Sequence, residues 1–367
     1  DNGVKTTPVI IGPYTFLELA RYIGTKTKEN FFGNITDAYI QIIGKFVTLG
    51  AEWLQLDEPC LVKDMSREDI EFFNSLYTKI LENKNGLKIR LQTYFGDVRD
   101  CYKEICALDF DGIGLDLIEG KKTLELIDKN GFPSDKVLFA GVVNGKNIWE
   151  NNYAKTIALL KNLQEKSINT VINTSCSLLH VPYTVKNEVK LSDTYKKYFS
   201  YASEKLVELN EIKKIIETED YCNLPEYTAN IKLFSEERSG CNTNVKEKVN
   251  ALSEKDFTRL PVFSEREKIQ KEEFKLPLLP TTTIGSFPQT SDVRQTRASY
   301  KKANISETDY EKFMKSKIAE CIELQENIGL DVLVHGEFER NDMVEYFGEC
   351  LDGYIFTEKA WVQSYGT

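Results

Sequence analysis

The sequence predicts an α/β fold built on (β/α)8 barrels, and three observations carry that reading. Short Val/Ile/Leu-rich runs alternate with helically spaced stretches from residue 8 to about 217. The alternation then gives way to a charged stretch, 218–279. It starts again at Leu279-Pro280 with a phrase that echoes one in the first region.

The first region offers six strand-like runs. They are Val9-Ile-Ile, Trp53-Leu-Gln-Leu, Leu87-Lys-Ile-Arg-Leu, Gly112-Ile-Gly-Leu-Asp-Leu, Val137-Leu-Phe-Ala-Gly-Val-Val and Thr170-Val-Ile-Asn. Helical spacing separates them, as at Ala38, Ile42, Phe46 and Leu49, where Gly50 suits a helix stop. Strands alternating with helices imply βαβ units and a parallel sheet. Runs in series with no long crossover fit part of a (β/α)8 barrel. A doubly wound sheet is the alternative, although no G-x-G-x-x-G follows a first strand. A long helix is expected from Ser192 to Glu217, with Tyr195, Phe199, Ala202, Leu206, Leu209, Ile212 and Ile216 on one face. Residues 218–279, with Ser239-Gly240, Asn242-Thr-Asn and one helical stretch near 244–253, read as a linker.

Beyond it, Thr281-Thr-Thr-Ile-Gly-Ser-Phe-Pro288 reads as a strand entering a loop. Ser306 or Thr308 can cap a helix over about 308–327. Leu330-Asp-Val-Leu-Val334 reads as a second strand, leading into His335-Gly-Glu-Phe-Glu-Arg-Asn-Asp342. The phrase Ile328-Gly-Leu-Asp-Val-Leu-Val-His-Gly-Glu337 echoes Leu49-Gly-Ala-Glu-Trp-Leu-Gln-Leu-Asp-Glu58. Both run from a helix end through Gly and a strand to acids at the strand's C-terminal edge, which suggests two similar barrels.

Composition narrows the function classes. The 367 residues are 41% hydrophobic and 28% charged, enough apolar matter for real cores. A net charge of −10 argues against sequence-independent nucleic-acid binding, which needs a positive field. No apolar run approaches the roughly 20 residues of a membrane helix. Eight cysteines (Cys60, Cys101, Cys106, Cys176, Cys222, Cys241, Cys321 and Cys350) show no disulfide framework and read as reduced thiols of a cytoplasmic chain. The chain begins with Asp1 and stops in mid-pattern at Trp361-Val-Gln-Ser-Tyr-Gly-Thr367, so a piece of a longer polypeptide is expected.

In parallel α/β folds, ligands meet the C-terminal ends of strands. That rule selects four places. At Ile284-Gly285-Ser286, backbone N–H groups and a hydroxyl suit a carboxylate or phosphate, or form an ordinary strand-to-loop turn. At His335-x-Glu337-x-Glu339-Arg340, Glu337 suits a ligand ammonium. A His-x-Glu-x-Glu metal site or an internal salt-bridge network is the competing reading. Asp57-Glu58-Pro59 suits acid–base work or a loop start fixed by proline. Cys176 and His180 invite a nucleophile or zinc, but zinc needs three or four ligands.

The segment Leu279-Pro-Thr-Thr-Thr-Ile-Gly-Ser-Phe-Pro-Gln-Thr290 closely resembles the cobalamin-independent methionine synthases. So do Gly329-Leu-Asp-Val-Leu-Val-His-Gly-Glu-Phe-Glu-Arg-Asn-Asp-Met-Val-Glu-Tyr-Phe-Gly-Glu349 and Trp361-Val-Gln-Ser-Tyr-Gly366. Gly12-Pro-Tyr-Thr, Gln55-Leu-Asp-Glu-Pro59, Thr93-Tyr-Phe, Asn144-Gly-Lys-Asn-Ile-Trp149 and Ser175-Cys-Ser-Leu-Leu-His180 follow in the family's order.

The resemblance implies two (β/α)8 TIM-type barrels joined by a linker, both incomplete in this chain. Residues 1–217 would be the later part of the N-terminal barrel, 218–279 the linker and 280–367 the start of the C-terminal catalytic barrel. It implies methyl transfer from 5-methyltetrahydropteroyltri-L-glutamate to L-homocysteine, giving L-methionine, with a zinc cofactor in a protein that is monomeric when complete. Carried over residue by residue, it puts homocysteine and methionine on Ile284, Gly285, Ser286 and Glu337. The family's zinc ligands, its general-acid His and its folate-tail residues match nothing in this chain. Where the metal barrel has ligands, the first barrel shows Gln92, Tyr94 and Asp116, with only Cys176 retained. Asp57, Glu58 and Cys176 are therefore expected to be scaffold or remnant. The alternatives are a methyltransferase relative with another donor, such as a corrinoid protein, or a non-catalytic module.

Overall fold

A computed structural model of the chain describes residues 6–236, 242–360 and 362. Cys241, Ser239-Gly240, Asp1 and most of the 361–367 motif lie outside the described residues. The chain divides into two compact units, Asp1–Glu237 with Thr357–Thr367, and Arg238–Phe356.

In the first unit all six predicted runs are strands: β1 (Val9–Ile11), β2 (Trp53–Asp57), β3 (Lys88–Gln92), β4 (Gly112–Asp116), β5 (Val137–Val143) and β6 (Thr170–Thr174). They form one parallel sheet in chain order, each strand beside the next. A doubly wound sheet would reverse direction at a switch point, so the order excludes that alternative. Helices α1 (Pro13–Leu19), α2 (Phe32–Thr48), α3 (Arg67–Leu81), α4 (Tyr102–Ala107), α5 (Thr123–Asn130) and α6 (Tyr153–Glu165) fall between the strands. The two sheet faces differ because side chains alternate along each strand. Leu54, Leu56, Ile89, Leu91, Ile113, Leu115, Leu138, Ala140 and Val142 share one face. They merge with Ile43, Phe73, Leu76, Ile80, Ile105 and Ile157 from the helices into one buried core. Each Leu, Ile, Val or Phe among them contributes about 1.5–3 kcal/mol on burial. By register, the other face carries Gln55, Asp57, Arg90, Gln92, Phe139 and Asn173.

The helix expected over Ser192–Glu217 is two helices, α7 (Asp193–Lys196) and α8 (Ala202–Glu217). Residues 198–200 leave the helix to pair with 148–150. Glu150 N–H donates to the Tyr198 carbonyl, Ser200 N–H donates to the Ile148 carbonyl, and Trp149 stacks on Phe199. Backbone pairing and ring burial outweigh helix continuation there. Helix α9 (Pro225–Ser235) follows.

The second unit contains α10 (Thr243–Asn250), α11 (Phe263–Phe274), α12 (Ser291–Lys301), α13 (Glu307–Ile328) and α14 (Met343–Glu349). Ser306 caps α13, accepting the Asp309 N–H at 3.1 Å, and Gly329 ends it in the left-handed region. The strands expected at 281–288 and 330–334 do not form; the chain pairs instead at a single parallel bridge, Ser286 to Gly336, just past the second run. Flanking bonds run from the Val332 N–H to the Thr281 carbonyl and from the Phe287 N–H to the Gly336 carbonyl. The segments lie side by side, but among the described residues no further strand flanks them, and two strands alone make a poor sheet. A small core of Val293, Met314, Cys321 and Phe338 supports them.

Candidate functional site

The bridge brings Ser286 and Glu337 into contact. Ser286 Oγ donates to Glu337 Oε2 at 2.6 Å. Gly285 has φ +127°, and a Cβ there would sit 3.0 Å from Glu337 Oε1, so glycine lets the chain pass the carboxylate. The Ile284 side chain is fully exposed and does not join the cluster.

Glu337 itself has φ +57° and follows Gly336 at φ +85°. Its N–H donates to His335 Nδ1 at 2.9 Å, and its carbonyl accepts from Gln289 Nε2 at 3.2 Å. Arg340 reaches Glu337 Oε1 at 2.6 Å and Glu339 Oε1 at 3.1 Å, the internal salt-bridge network that the sequence allowed. The Ser286 hydrogen bond, with Arg340 beside it, holds the Glu337 carboxyl below the usual range. Glu337 keeps 27% of its side chain in solvent, so it is charged, fixed and still reachable. His335 lies 3.8 Å from Glu339 and bonds the Glu337 backbone rather than facing the same point as the two acids.

The strand ends of the first unit behave differently. Glu58 is fully buried. It accepts the Tyr14 N–H at 2.9 Å, the Thr15 N–H at 2.6 Å and the Tyr77 hydroxyl at 2.5 Å. Burial pushes its carboxyl up to about 7, against the pull of those donors. Burial raises the Asp57 carboxyl too, opposed by Gln55 and Arg90. Asp116 accepts the N–H groups of Phe95, Ile118 and Glu119 and so fixes two loops. Cys176 is buried, and burial pushes its thiol up to about 11, the reverse of an activated nucleophile. His180 packs its ring edge-on against Phe95. Among the described residues no three His, Cys, Asp or Glu gather as metal ligands, so they do not fit a zinc site. The seven cysteines described are free thiols.

Arg297 and Gln289, which the sequence reading did not single out, underpin the Glu337 loop. An arginine on a polar helix reads as solvated, and only the fold shows this one buried.

A parallel sheet wound in chain order, and a second unit in which an acid and a hydroxyl meet where two parallel segments join, define a two-unit α/β protein with a polar candidate site. Residues 1–168 match the family model of the cobalamin-independent synthase N-terminal domain, and residues 279–367 match that of its catalytic domain. The chain belongs to the cobalamin-independent methionine synthase family. It is 56% identical over 365 residues to the 5-methyltetrahydropteroyltriglutamate–homocysteine methyltransferase of Lactococcus lactis subsp. cremoris, covering 100% of this chain and 48% of that protein. It is 52% identical to the protein of the same name from Campylobacter jejuni, with the same coverage. The chain thus spans about half the length of these curated relatives. A solved B12-independent methionine synthase from Shewanella sp. W3-18-1, in complex with selenomethionine, is 12% identical with a TM-score of 0.39. It covers 56% of this chain and 61% of that one, too partial a likeness to bear on fold or function.

Proposed function

We propose that this chain supplies the amino-acid cradle of an enzyme that moves a methyl group from 5-methyltetrahydropteroyltri-L-glutamate to L-homocysteine, giving L-methionine. The observation that carries the reading is the Ser286–Glu337 contact at 2.6 Å, on the Ile-Gly-Ser turn of the segment matched by the catalytic-domain model. Glu337 takes the ligand ammonium in a charge-assisted contact. The Ser286 hydroxyl turns from Glu337 to the ligand carboxylate, joined by turn N–H groups. Opposite contacts at two poles fix the direction of the side chain and so aim the sulfur. In the transfer the S–C bond forms as the N5–C bond breaks, and N5 takes a proton. Homocysteine and methionine share the head group, so both use the cradle.

On this reading residues 1–217 and 280–367 are each part of a (β/α)8 barrel, 218–279 links them, and the complete protein is a cytoplasmic monomer. Zinc would serve the reaction through ligands other than the described residues, which offer no such set. The isolated 367-residue chain does not turn over, and turnover by the purified chain would contradict this. In the full-length enzyme, Glu337→Ala raises the homocysteine KM by about tenfold or more, the usual worth of a charge-assisted hydrogen bond. An unchanged KM removes Glu337 from the site. Ser286→Ala costs less, because the N–H groups remain.

A further inference from the structure

We propose that Arg297 is a positioning residue for this cradle, tying the Ser286 loop to the loop that carries Glu337. The proposal rests on the homocysteine reading and deepens it.

Arg297 lies on α12 with 7% of its surface exposed. Its guanidinium holds three points at once. Nη2 donates to Gln289 Oε1 at 2.7 Å and to the Phe338 carbonyl, and Nη1 donates to Asn341 Oδ1. Gln289 continues the Ser286 turn, whereas Phe338 and Asn341 follow Glu337. Gln289 passes the connection on, because its Nε2 donates to the carbonyl of Glu337 itself. From the far side the Phe287 N–H donates to the Gly336 carbonyl at 2.9 Å.

These bonds hold a disfavoured geometry. Glu337 carries a side chain yet has φ +57°. Such a residue stays in the left-handed region only where its surroundings determine it. Gln289 and the residues on Arg297 are among the neighbours that do so, beside His335, Ser286 and Arg340, which bond Glu337 itself. The partners of Arg297 are neutral, and Nε has none. A buried cation with neutral partners is a poor way to gain stability. A rigid fork that fixes two loops at once is a good way to fix geometry, and lysine cannot reproduce it.

The test uses the full-length enzyme that carries this chain, with Arg297→Lys, Arg297→Met, Gln289→Ala and Glu337→Gln as the reference. Steady-state kinetics give KM for each substrate and kcat. Hydrogen exchange follows the amides of Phe287 and Glu337. Both Arg297 variants should raise the homocysteine KM about tenfold or more, because three points of attachment are lost. The KM for the folate should stay put and both amides should exchange faster. Gln289→Ala, which keeps the guanidinium, should give a smaller rise of the same kind. A merely structural loss would lower the active fraction, hence apparent kcat, and leave KM alone. Should Arg297→Met fail to fold, Arg297→Lys and Gln289→Ala decide. The proposal is overturned if those two leave the homocysteine KM unchanged while Glu337→Gln raises it. If Glu337→Gln also leaves it unchanged, the homocysteine reading fails and the positioning role falls with it.

Discussion

Glu58 and Glu337 end the two halves of one echoed phrase, and the structure gives them matching neighbours. Each follows a strand-like segment and faces a glycine on the parallel segment beside it. A Cβ on Gly12 would lie 2.1 Å from Glu58 Oε1, and a Cβ on Gly285 would lie 3.0 Å from Glu337 Oε1. Each takes donors from the residues after that glycine, Tyr14 and Thr15 in one unit and Ser286 in the other. The difference is saturation. Glu58 is sealed and its oxygens are filled by protein, so its work is to hold a turn. Glu337 is partly open, and its partners are a rotatable hydroxyl and an arginine that can share it. The same local plan becomes scaffold when buried and a candidate site when exposed.

The largest expected effect breaks the sealed copy. Glu58→Ala strands three buried donors and should cost about 3 kcal/mol or more in urea unfolding. The equivalent Glu337→Ala should leave the unfolding midpoint nearly unmoved and change ligand affinity instead. Equal loss of stability at both sites would erase the contrast.

Next come the glycines. Gly12→Ala drives a methyl into the fixed carboxylate of Glu58 and should destabilise by about 1–3 kcal/mol. Gly285→Ala meets both the positive φ and the Glu337 carboxylate. Its penalty should fall on the exposed loop, seen as faster hydrogen exchange at Phe287 rather than as a lower global midpoint.

The smallest effect is in pH dependence, and the two acids differ in sign. The folded Glu58 carboxyl titrates near 7, above its ordinary 4.5, so the folded state holds its proton more tightly. Stability from this group therefore falls as pH rises between those values. Glu58→Gln should flatten that part of a melting-temperature profile. Glu337 is held low, so its contribution is present above the ordinary carboxylate value and is lost as pH falls through its lowered one. A profile unchanged by Glu58→Gln would show that burial does not raise this carboxyl.

Much of the first unit was legible in the sequence because each strand is a short Val/Ile/Leu-rich run with a helix between it and the next. The sheet order then follows from short connections. The break between α7 and α8 was not legible. Phe199 continues the helical period from Tyr195, and only the pairing of 198–200 with 148–150 pulls it out. In the second unit Ser286 and Glu337 were singled out by the strand-end rule and by the resemblance, and the structure brings their side chains into contact. The tie through Arg297 and Gln289 was hidden, because no spacing reveals which helix arginine turns inward. The strand-end rule alone picks out Glu58 beside Glu337; the resemblance sets Glu58 aside as scaffold, and its burial agrees with that.

The most direct measurement is a structure of the full-length enzyme bound to L-homocysteine. The ligand's amino nitrogen should lie within hydrogen-bond distance of the Glu337 carboxylate, and its carboxylate on Ser286 and the turn N–H groups. A ligand seated elsewhere, with Glu337 still bonded only to Ser286 and Arg340, would contradict it.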